Sequence, residues 1–302
     1  MTSKEELAAL RTEQVDEKFA LLDVMTVGEL LQVMNESDTE VPKAVALVLP
    51  TIKVVIDGII DRMLQGGRLI YLGAGTSGRL GVLDAAELGP TFSVAPTEVI
   101  AFIAGGEVAL RQAVEAAEDN EEASILELKR ISASSKDVIL GIAASGRTPY
   151  VISALKYGNE IGALTVGLTS NPGSEITKVA MHAIAVDTGP ELLAGSTRLK
   201  SGTAQKLVLN MISTITMIRL GKTFGNLMVD LQITNAKLKD RAVRIIQNAT
   251  GADWASAQAA LEKSDHRVKV AILMILLHVD VAEAESRLKT ASNHIRAALD
   301  QG

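Results

Sequence analysis

The sequence predicts an α/β fold in which helices cover both faces of a parallel sheet, followed by a small helical domain at the C-terminal end. Four apolar runs of strand length alternate with helical patterns, and a weaker fifth run follows them. Near-continuous apolar strands that alternate with helices indicate a buried parallel sheet. From about Asn235 the strand patterns stop and only helical patterns remain, which indicates a separate helical region.

The period of the apolar residues places the elements. The strands are predicted at 68–73, 98–105, 137–145, 164–170 and 182–189. The helices after them are predicted at 78–88, 107–130, 148–161, 173–180 and 199–220. We therefore expect an N-terminal helical arm at 1–50, a sheet domain at 51–234 and a C-terminal helical domain at 235–302.

Capping residues set the predicted boundaries of the first helices. Thr26 is an N-cap candidate, and Glu29 stands three residues later, where it completes a capping box. Pro42 is expected in the first turn of a helix over 42–65, because proline is tolerated there. Gly66 and Gly67 then end that helix.

Composition excludes several classes of function. The 302-residue chain has a net charge of −6, no long basic run and only 3% aromatic residues, so we expect no nucleic-acid partner. It has no cysteine, and its four histidines show no H-x-x-x-H spacing, so we expect no metal site. The N-terminus is polar, and charged residues interrupt the most apolar run, so we expect a cytoplasmic protein without membrane contact.

A glycine-rich turn follows the first strand. Gly73, Gly75 and Gly78 fit the pattern G-x-G-x-x-G of dinucleotide sites, but that pattern requires an acidic residue roughly 20 positions later, at the end of the second strand. Here the second strand ends at Ala104, and Glu107 comes late. We therefore expect no nicotinamide cofactor. The hydroxyl-bearing turn that suits a phosphate consists of Gly75, Thr76, Ser77 and Gly78.

A second loop of the same kind follows the third strand. Its candidate ligand-binding residues are Ser145, Gly146, Arg147 and Thr148, and Pro149 begins the next helix. Two hydroxyl-bearing loops at the carboxyl ends of parallel strands can converge on one phosphorylated ligand. The alternative is that both are ordinary helix caps.

A third polar segment leads into the long apolar helix. Its candidate ligand-facing residues are Glu191, Ser196, Thr197 and Lys200. The alternative is a solvated start of that helix.

Three motifs together resemble a known family. GAGTSGRLGVLDAAELGPTF, ASGRTP and GPELLAGSTRLKSGTAQK are similar to the sugar isomerase domain family and, within it, to the N-acetylmuramic acid 6-phosphate etherases. The similarity extends to TEQ, AVEAAEDN and NAKLKDRAVRII, and so covers nearly the whole chain. The regulatory proteins of glucokinase share this fold without the activity.

The resemblance implies a flavodoxin-like three-layer sandwich with five parallel strands, and a homodimer that needs no cofactor or metal. It also implies cleavage of the D-lactyl ether of N-acetylmuramic acid 6-phosphate, in the breakdown of cell-wall amino sugars. The two functional carboxylates of the family fall on Glu87 and Glu118. One departure is TEQVDEK, where the family usually has Arg-Asn after T-E-Q, so a role of the arm at the site is in doubt.

Elimination explains the need for two carboxyl groups. A base removes the C2 proton while an acid protonates the departing ether oxygen, so one carboxyl must be ionised and the other protonated. We assign Glu118 as the base and Glu87 as the acid, and the reverse assignment stays open. Apolar neighbours of Glu87 are expected to keep it protonated. Judged by its acidic surroundings alone, Glu118 would be part of a solvated helix face.

The remaining assignments concern the sugar phosphate. We assign its 6-phosphate to the loop around Ser145, and the sugar to the turn around Thr76, with Arg79 as a phosphate or carboxylate ligand or a partner in a surface salt bridge. Rival functions are a sugar-phosphate isomerase, a non-catalytic sensor of a sugar phosphate and, last, a nucleotide-dependent oxidoreductase. An isomerase has no ether oxygen to protonate, so a required acid at that position distinguishes the etherase.

Overall fold

The computed structural model describes residues 10–114, 116–233 and 235–300. The chain forms two compact units. Unit 1 comprises 1–85 and 97–212, and unit 2 comprises 86–96 and 213–302. Residues 1–9 of the predicted N-terminal arm lie outside the described residues. The predicted domain limits at 50 and 234 stay predictions.

Unit 1 alternates strands and helices in chain order. Its strands are β1 Leu69–Gly73, β2 Val99–Ile103, β3 Val138–Ile142, β4 Leu164–Thr169 and β5 His182–Ala185. Its helices are α1 Val27–Asp38, α2 Glu40–Leu47, α3 Leu49–Leu64, α5 Gly106–Arg111, α6 Glu121–Arg130, α7 Pro149–Glu160 and α8 Glu175–Val179. Short 3-10 helices are Arg11–Glu13, Glu17–Phe19, Leu22–Val24 and Ala117–Asp119. Two long helices, α4 Gly75–Phe92 and α9 Lys200–Arg219, begin in unit 1 and end in unit 2.

The five strands form one parallel sheet in the order β2-β1-β3-β4-β5. This is the flavodoxin-like order, and it confirms the predicted fold class. β1, β3 and β4 are buried along their whole length, as expected for central strands covered on both faces. Tyr71 and Leu140 are fully buried partners in the register of β1 and β3.

Two predicted helices are wrong because each is broken in the structure. The helix expected over 42–65 divides at Val48. Pro50 stands in the first turn of α3, and because proline has no N–H group, the preceding helix cannot continue through it. The helix expected over 107–130 divides into α5 and α6, and Asn120 starts α6 by accepting a hydrogen bond from the Ala123 N–H at 3.1 Å.

Local signals placed other boundaries correctly. The Thr26 hydroxyl accepts from the Glu29 N–H, while the Glu29 carboxylate accepts from the Thr26 N–H at 2.8 Å. This reciprocal pair confirms the capping box. Pro149 is the first residue of α7, as predicted. Gly66 follows the end of α3 with φ +80°, a left-handed conformation that favours glycine.

The regular structure of unit 2, in the residues described, is helical apart from a short hairpin of β6 Thr223–Phe224 and β7 Leu227–Met228, which the sequence patterns did not predict. Its remaining helices are α10 Ala236–Thr250, α11 Trp254–Lys263, α12 Val268–Leu277, α13 Val281–Thr290 and α14 Ile295–Leu299. They surround a core of their own that includes Ile246, Leu261 and Leu273. Among the described residues, no helix is long and apolar enough to cross a bilayer.

Candidate active site

The glycine-rich turn and the ASGRTP loop lie at neighbouring positions of the sheet. β1 and β3 are adjacent, and β2 lies on one side of this pair while β4 lies on the other. The chain order therefore reverses between β1 and β3. In open parallel sheets, ligands bind in the crevice outside the carboxyl ends of the strands at such a reversal. The topology thus brings the two predicted loops together at the standard position of a ligand site.

Packing against β1 explains two glycines of the first loop. A Cβ atom on Gly73 would lie 2.7 Å from the nitrogen of Gly78, and one on Gly78 would lie 2.6 Å from the oxygen of Gly73. Both residues must therefore be glycine for α4 to begin so close to β1. Gly75 has open space around it and φ +52°, so there glycine serves the turn itself. In the same turn Thr76 is half-buried and Ser77 is buried.

A tight turn shapes the second loop. Gly146 has φ +69°, and a Cβ atom there would collide with the Ser174 hydroxyl and lie 2.8 Å from Thr169 Oγ1. The Gly146 oxygen accepts from the Ile176 N–H at 2.9 Å. Ser145 Oγ accepts from the Arg147 N–H at 3.3 Å. The loop is therefore fixed from the side of β4 and α8 before any ligand binds.

Thr148 is the N-cap residue of α7, but its side chain makes no capping hydrogen bond. The interpretation of this loop as an ordinary hydroxyl cap is therefore wrong at Thr148. The first N–H groups of a helix have no partner within the helix. In α7, Pro149 has no N–H group and the Val151 N–H donates to the Thr148 oxygen at 3.0 Å. An anion there would therefore find the Tyr150 N–H and the Thr148 hydroxyl.

Glu118 lines a cavity of about 210 Å³ in unit 1. Gly75 and Arg79 line the same cavity, so one space contains three of the predicted site residues. The other walls consist mainly of alanine, which leaves room for a ligand. Glu118 itself is exposed, on the 3-10 helix Ala117–Asp119.

The Arg79 side chain binds the stretch of chain that precedes Glu118. Arg79 donates from Nε to the Leu110 oxygen at 3.2 Å and from Nη2 to the Gln112 oxygen at 3.0 Å. Ala116 precedes the 3-10 helix with φ +62°, a conformation that is costly for a residue with a Cβ atom and that concentrates at functional sites. Arg79 therefore shapes one wall of the cavity, in addition to its predicted contact with a ligand.

Glu87 lies on the part of α4 that belongs to unit 2. Its side chain is exposed, whereas the next residue, Leu88, is buried. The prediction of an apolar setting for Glu87 is therefore wrong for the chain as described. Of its apolar neighbours in the sequence, Leu88 is buried, whereas Leu83 and Ala86 are exposed as Glu87 is.

The third segment is organised around a buried carboxylate. Glu191 accepts from the N–H groups of Lys200 and Ser201, each at 2.9 Å, and so caps the start of α9. Lys200 is buried, and its Nζ donates to the Thr188 oxygen at 2.7 Å. Burial lowers the pKa of Lys200, and the Glu191 carboxylate opposes this effect. Both carboxylate oxygens of Glu191 therefore accept hydrogen bonds from the first N–H groups of α9. Its predicted contact with a ligand, and those of the half-buried Ser196 and Thr197, stay predictions.

Family models match the chain in three places. The model of the glucokinase regulatory protein N-terminal SIS domain covers 51–159, the SIS domain model covers 113–215, and the model of the C-terminal lid domain of glucokinase regulatory protein covers 225–271. Among solved structures, a phosphoheptose isomerase from Francisella tularensis matches 64% of this chain and 98% of its own, with a TM-score of 0.50 and 18% identity. This likeness shows the fold.

Curated relatives match over almost the full length. The N-acetylmuramic acid 6-phosphate etherase of Histophilus somni is 52% identical over 295 residues, which is 98% of this chain and 97% of the relative. The protein of the same name from Rubrobacter xylanophilus is 52% identical over 298 residues, 99% and 98% of the two chains. The chain belongs to the N-acetylmuramic acid 6-phosphate etherase family. This confirms the resemblance that the three motifs indicated.

Two residues at the site of this etherase-family chain escaped prediction. Asn171 follows β4 and donates from Nδ2 to the Ala144 oxygen at 2.8 Å, directly before the loop of Ser145. The same nitrogen donates to Thr12 Oγ1 at 3.1 Å. Thr12 belongs to the T-E-Q segment, so the N-terminal segment reaches the carboxyl edge of the sheet despite the altered residues that follow. The polar turn TSNPGS after β4 was the sequence signal for Asn171.

Proposed function

We propose that this protein is a lyase that cleaves the D-lactyl ether of N-acetylmuramic acid 6-phosphate. The products are N-acetylglucosamine 6-phosphate and D-lactate, formed by elimination followed by hydration. The observation that carries this proposal is the 52% identity to etherases over at least 97% of each chain. The position of both hydroxyl-bearing loops at the reversal of the sheet supports it.

The 6-phosphate binds at the start of α7 in this proposal. Ser145 and Thr148 supply hydroxyl groups, Gly146 allows close approach of the backbone, and Arg147 supplies positive charge. The absence of a side-chain cap from Thr148 supports this assignment, because the Thr148 hydroxyl is then available to an anion at the start of the helix. The turn around Thr76 holds the sugar nearer to Glu118.

Elimination needs an acidic proton on C2. Opening of the sugar ring exposes the C1 aldehyde, which acidifies that proton. Glu118 removes the proton and leaves an enolate of the aldehyde. The electron pair of the enolate then forms the C2–C3 double bond while the C3–O bond breaks and Glu87 protonates the departing oxygen. Water then adds to C3 of the α,β-unsaturated aldehyde and a proton returns to C2. Each positioned proton transfer contributes roughly 10²–10⁴-fold to the rate.

The cavity supports Glu118 as the base. It is an exposed carboxylate beside a space of about 210 Å³, and an ionised carboxylate is the form that accepts a proton. Glu87 is exposed in the single chain, and this exposure does not support the role of acid. We therefore propose Glu87 as the acid on the chemistry and the family resemblance alone.

The direct test is incubation with N-acetylmuramic acid 6-phosphate, with an assay for D-lactate. Glu118→Gln is expected to lower both lactate release and the exchange of the C2 proton with deuterium by at least about 10²-fold. Glu87→Gln is expected to lower lactate release while exchange continues. The matched control is Glu122→Gln, because Glu122 is an exposed residue of the same acidic run that does not line the cavity.

Two results would contradict the assignment. Normal C2 exchange in Glu118→Gln would exclude Glu118 as the base. Normal lactate release in Glu87→Gln would exclude Glu87 as the acid. Substrate binding without any lactate from the unaltered protein would favour a sensor of sugar phosphates over an enzyme.

We also propose that the enzyme is a homodimer. α1 carries an exposed apolar stripe of Val27, Leu31 and Met34, spaced so that all three share one helix face. Such a stripe is typical of a protein–protein contact. Leu31→Lys is expected to shift the mass measured by light scattering from two chains towards one, and an unchanged mass would exclude this stripe as the interface.

We place the enzyme in the cytoplasm, because its proposed substrate carries a charged phosphate that does not cross a bilayer unaided. The enzyme must therefore work where the sugar is phosphorylated. Cell fractionation with an antibody against the chain tests this, and recovery outside the cytoplasmic fraction would contradict it.

A further inference from the structure

Unit 2 contains a cavity of about 460 Å³ that the proposed reaction does not use. Volumes of this size are typical of sites for small ligands. Part of its wall is apolar, from residues such as Leu220, Val229 and Leu288. The polar part carries four cationic side chains against two carboxylates, a surplus of two positive charges. The six charged residues are Lys222, Arg267, Lys269, Lys289, Asp230 and Glu285.

Three of these charged groups form a cluster in which the Asp230 carboxylate makes ion pairs with the ammonium groups of Lys222 and Lys269. Asp230 Oδ2 lies 2.7 Å from Lys269 Nζ and 3.3 Å from Lys222 Nζ. The Lys269 side chain is only 7% exposed. A buried charge without full compensation is costly, and the cluster retains one positive charge beside the cavity. An anion in the cavity would compensate it.

The pKa values of two side chains, His294 and Lys269, reflect burial and the charges around the cavity. Burial lowers the pKa of His294, and the charges of Lys269 and Arg219 lower it further. Burial also lowers the pKa of Lys269 itself, while Asp230 opposes this. The Lys269 ammonium donates to the backbone oxygen of Asn293 at 3.3 Å, and this hydrogen bond helps to hold it at the cavity wall.

The first turn of α12 lines the same cavity. Arg267 is its N-cap residue and makes no side-chain capping hydrogen bond. The next three residues, 268–270, all contribute to the wall. The N–H groups of a first helical turn lack partners within the helix and favour an anion. This adds neutral donors to a wall that already carries surplus positive charge.

We propose that this cavity binds a small phosphate monoester, separately from the site in unit 1. The dianion matches the surplus of two positive charges, and the apolar wall accommodates the organic part of the ligand. A carboxylate monoanion would compensate only half of that charge. The ligand would be a second phosphorylated metabolite or a second copy of the sugar phosphate of the reaction.

The test is equilibrium dialysis of the full chain with labelled glucose 6-phosphate, in parallel with N-acetylglucosamine 6-phosphate, gluconate and uncharged glucose. We expect a phosphate-dependent site that remains in Ser145→Ala, in which binding at the unit 1 loop is weakened. Lys269→Met and Lys289→Gln are each expected to weaken that site by at least 10-fold. Lys269→Met approximately conserves the side-chain volume, and Asp230 keeps Lys222 as a partner in it.

Lys263→Gln is the matched control, because Lys263 is an exposed lysine of unit 2 outside the cavity wall. The Lys263→Gln variant should bind glucose 6-phosphate as tightly as the unaltered protein does. Tighter binding of N-acetylglucosamine 6-phosphate than of glucose 6-phosphate would identify the reaction's own sugar phosphate as the ligand. The proposal is overturned if Ser145→Ala abolishes all phosphate-dependent binding, if gluconate binds equally well, or if both lysine variants bind like the control. None of these results bears on lactate release, so they leave the proposed function untouched.

Discussion

Asn171 and Thr12 form a reciprocal pair across 159 positions of the chain. Asn171 Nδ2 donates to Thr12 Oγ1 at 3.1 Å, and the Thr12 N–H donates to Asn171 Oδ1 at 3.4 Å. The Thr12 oxygen in turn accepts from the Gly195 N–H at 3.0 Å. Both residues of the pair are buried. The N-terminal segment is therefore part of the edge of the sheet that carries the candidate active site.

Removing the amide of Asn171 should loosen this edge. Asn171→Ala leaves the buried Thr12 N–H without its partner and removes one of the hydrogen bonds to the Ala144 oxygen, so we expect the free energy of unfolding to fall by about 1–3 kcal/mol. Urea denaturation at neutral pH measures this. As a control, Thr290→Val removes a hydroxyl whose residue is exposed, and it should change stability by less than about 0.5 kcal/mol. Equal effects of the two variants would show that the Thr12 contact does not hold the segment.

Gly146 should tolerate no side chain. Alanine there would adopt a left-handed conformation and collide with the Ser174 hydroxyl, so we expect a loss of more than about 2 kcal/mol, since both strain and overpacking apply. Binding of inorganic phosphate by the loop should weaken with it.

Gly28→Ala is the matched control for Gly146→Ala. Nothing lies within 4 Å of a Cβ atom on Gly28, which is in α1, so alanine should stabilise the protein by up to about 1 kcal/mol. Thermal unfolding of the two variants should therefore shift in opposite directions. A shift in the same direction would contradict the argument from backbone geometry.

The sheet was predictable because its signal is local. Each central strand is an apolar run that ends in a glycine or hydroxyl turn, and the parallel order follows from the helices between the runs. The loops of Gly73 and Ser145 were found for the same reason. The helix break at Val48 was missed because Val48 looks like any helical residue, and only Pro50 two positions later marks the boundary.

Long-range contacts account for what the sequence did not predict. The partnership of Asn171 with Thr12 depends on two segments that meet only after folding, and no spacing rule connects them. The exposed position of Glu87 was missed because an apolar neighbour need not be buried: Leu83, one turn earlier on the same helix face, is itself 51% exposed. The cap that Glu191 provides for the N–H groups of Lys200 and Ser201, nine and ten positions later, was also not predicted.

The carboxyl group of Asp137 should make the free energy of unfolding depend on pH in the acidic range. It is buried and accepts from Arg68 Nε at 2.9 Å and from the Ser134 N–H at 2.8 Å. Burial alone would raise the pKa of Asp137, but the hydrogen bonds from Arg68 and Ser134 outweigh it and lower the pKa below its ordinary value. A carboxyl with a lowered pKa in the folded state stabilises the protein above its unfolded pKa of about 3.9 and loses that contribution as the pH falls through the folded value.

Asp137→Asn tests this dependence. At neutral pH we expect a loss of about 3–5 kcal/mol, because Arg68 keeps its charge without its buried partner. The difference from the unaltered protein should shrink when urea denaturation is repeated at progressively lower pH, as the pH falls through the lowered pKa of Asp137 in the folded protein and that carboxyl becomes protonated. Asp240→Asn, at an exposed position, should show little difference at either pH. A difference for Asp137→Asn that stays constant with pH would contradict the charged pairing.

Gln205 should reduce the stability of the fold. It is 1% exposed, and within the described residues neither its amide oxygen nor its amide nitrogen has a hydrogen-bond partner. An unsatisfied buried amide costs roughly 1–3 kcal/mol, whereas an apolar side chain of similar shape avoids that cost. Gln205→Leu is therefore expected to raise the free energy of unfolding by about 1–3 kcal/mol, measured by urea denaturation. The exposed Gln32→Leu should stay within about 0.5 kcal/mol. If Gln205→Leu instead lowers stability, the amide must have partners in the folded protein, such as bound water or a second chain.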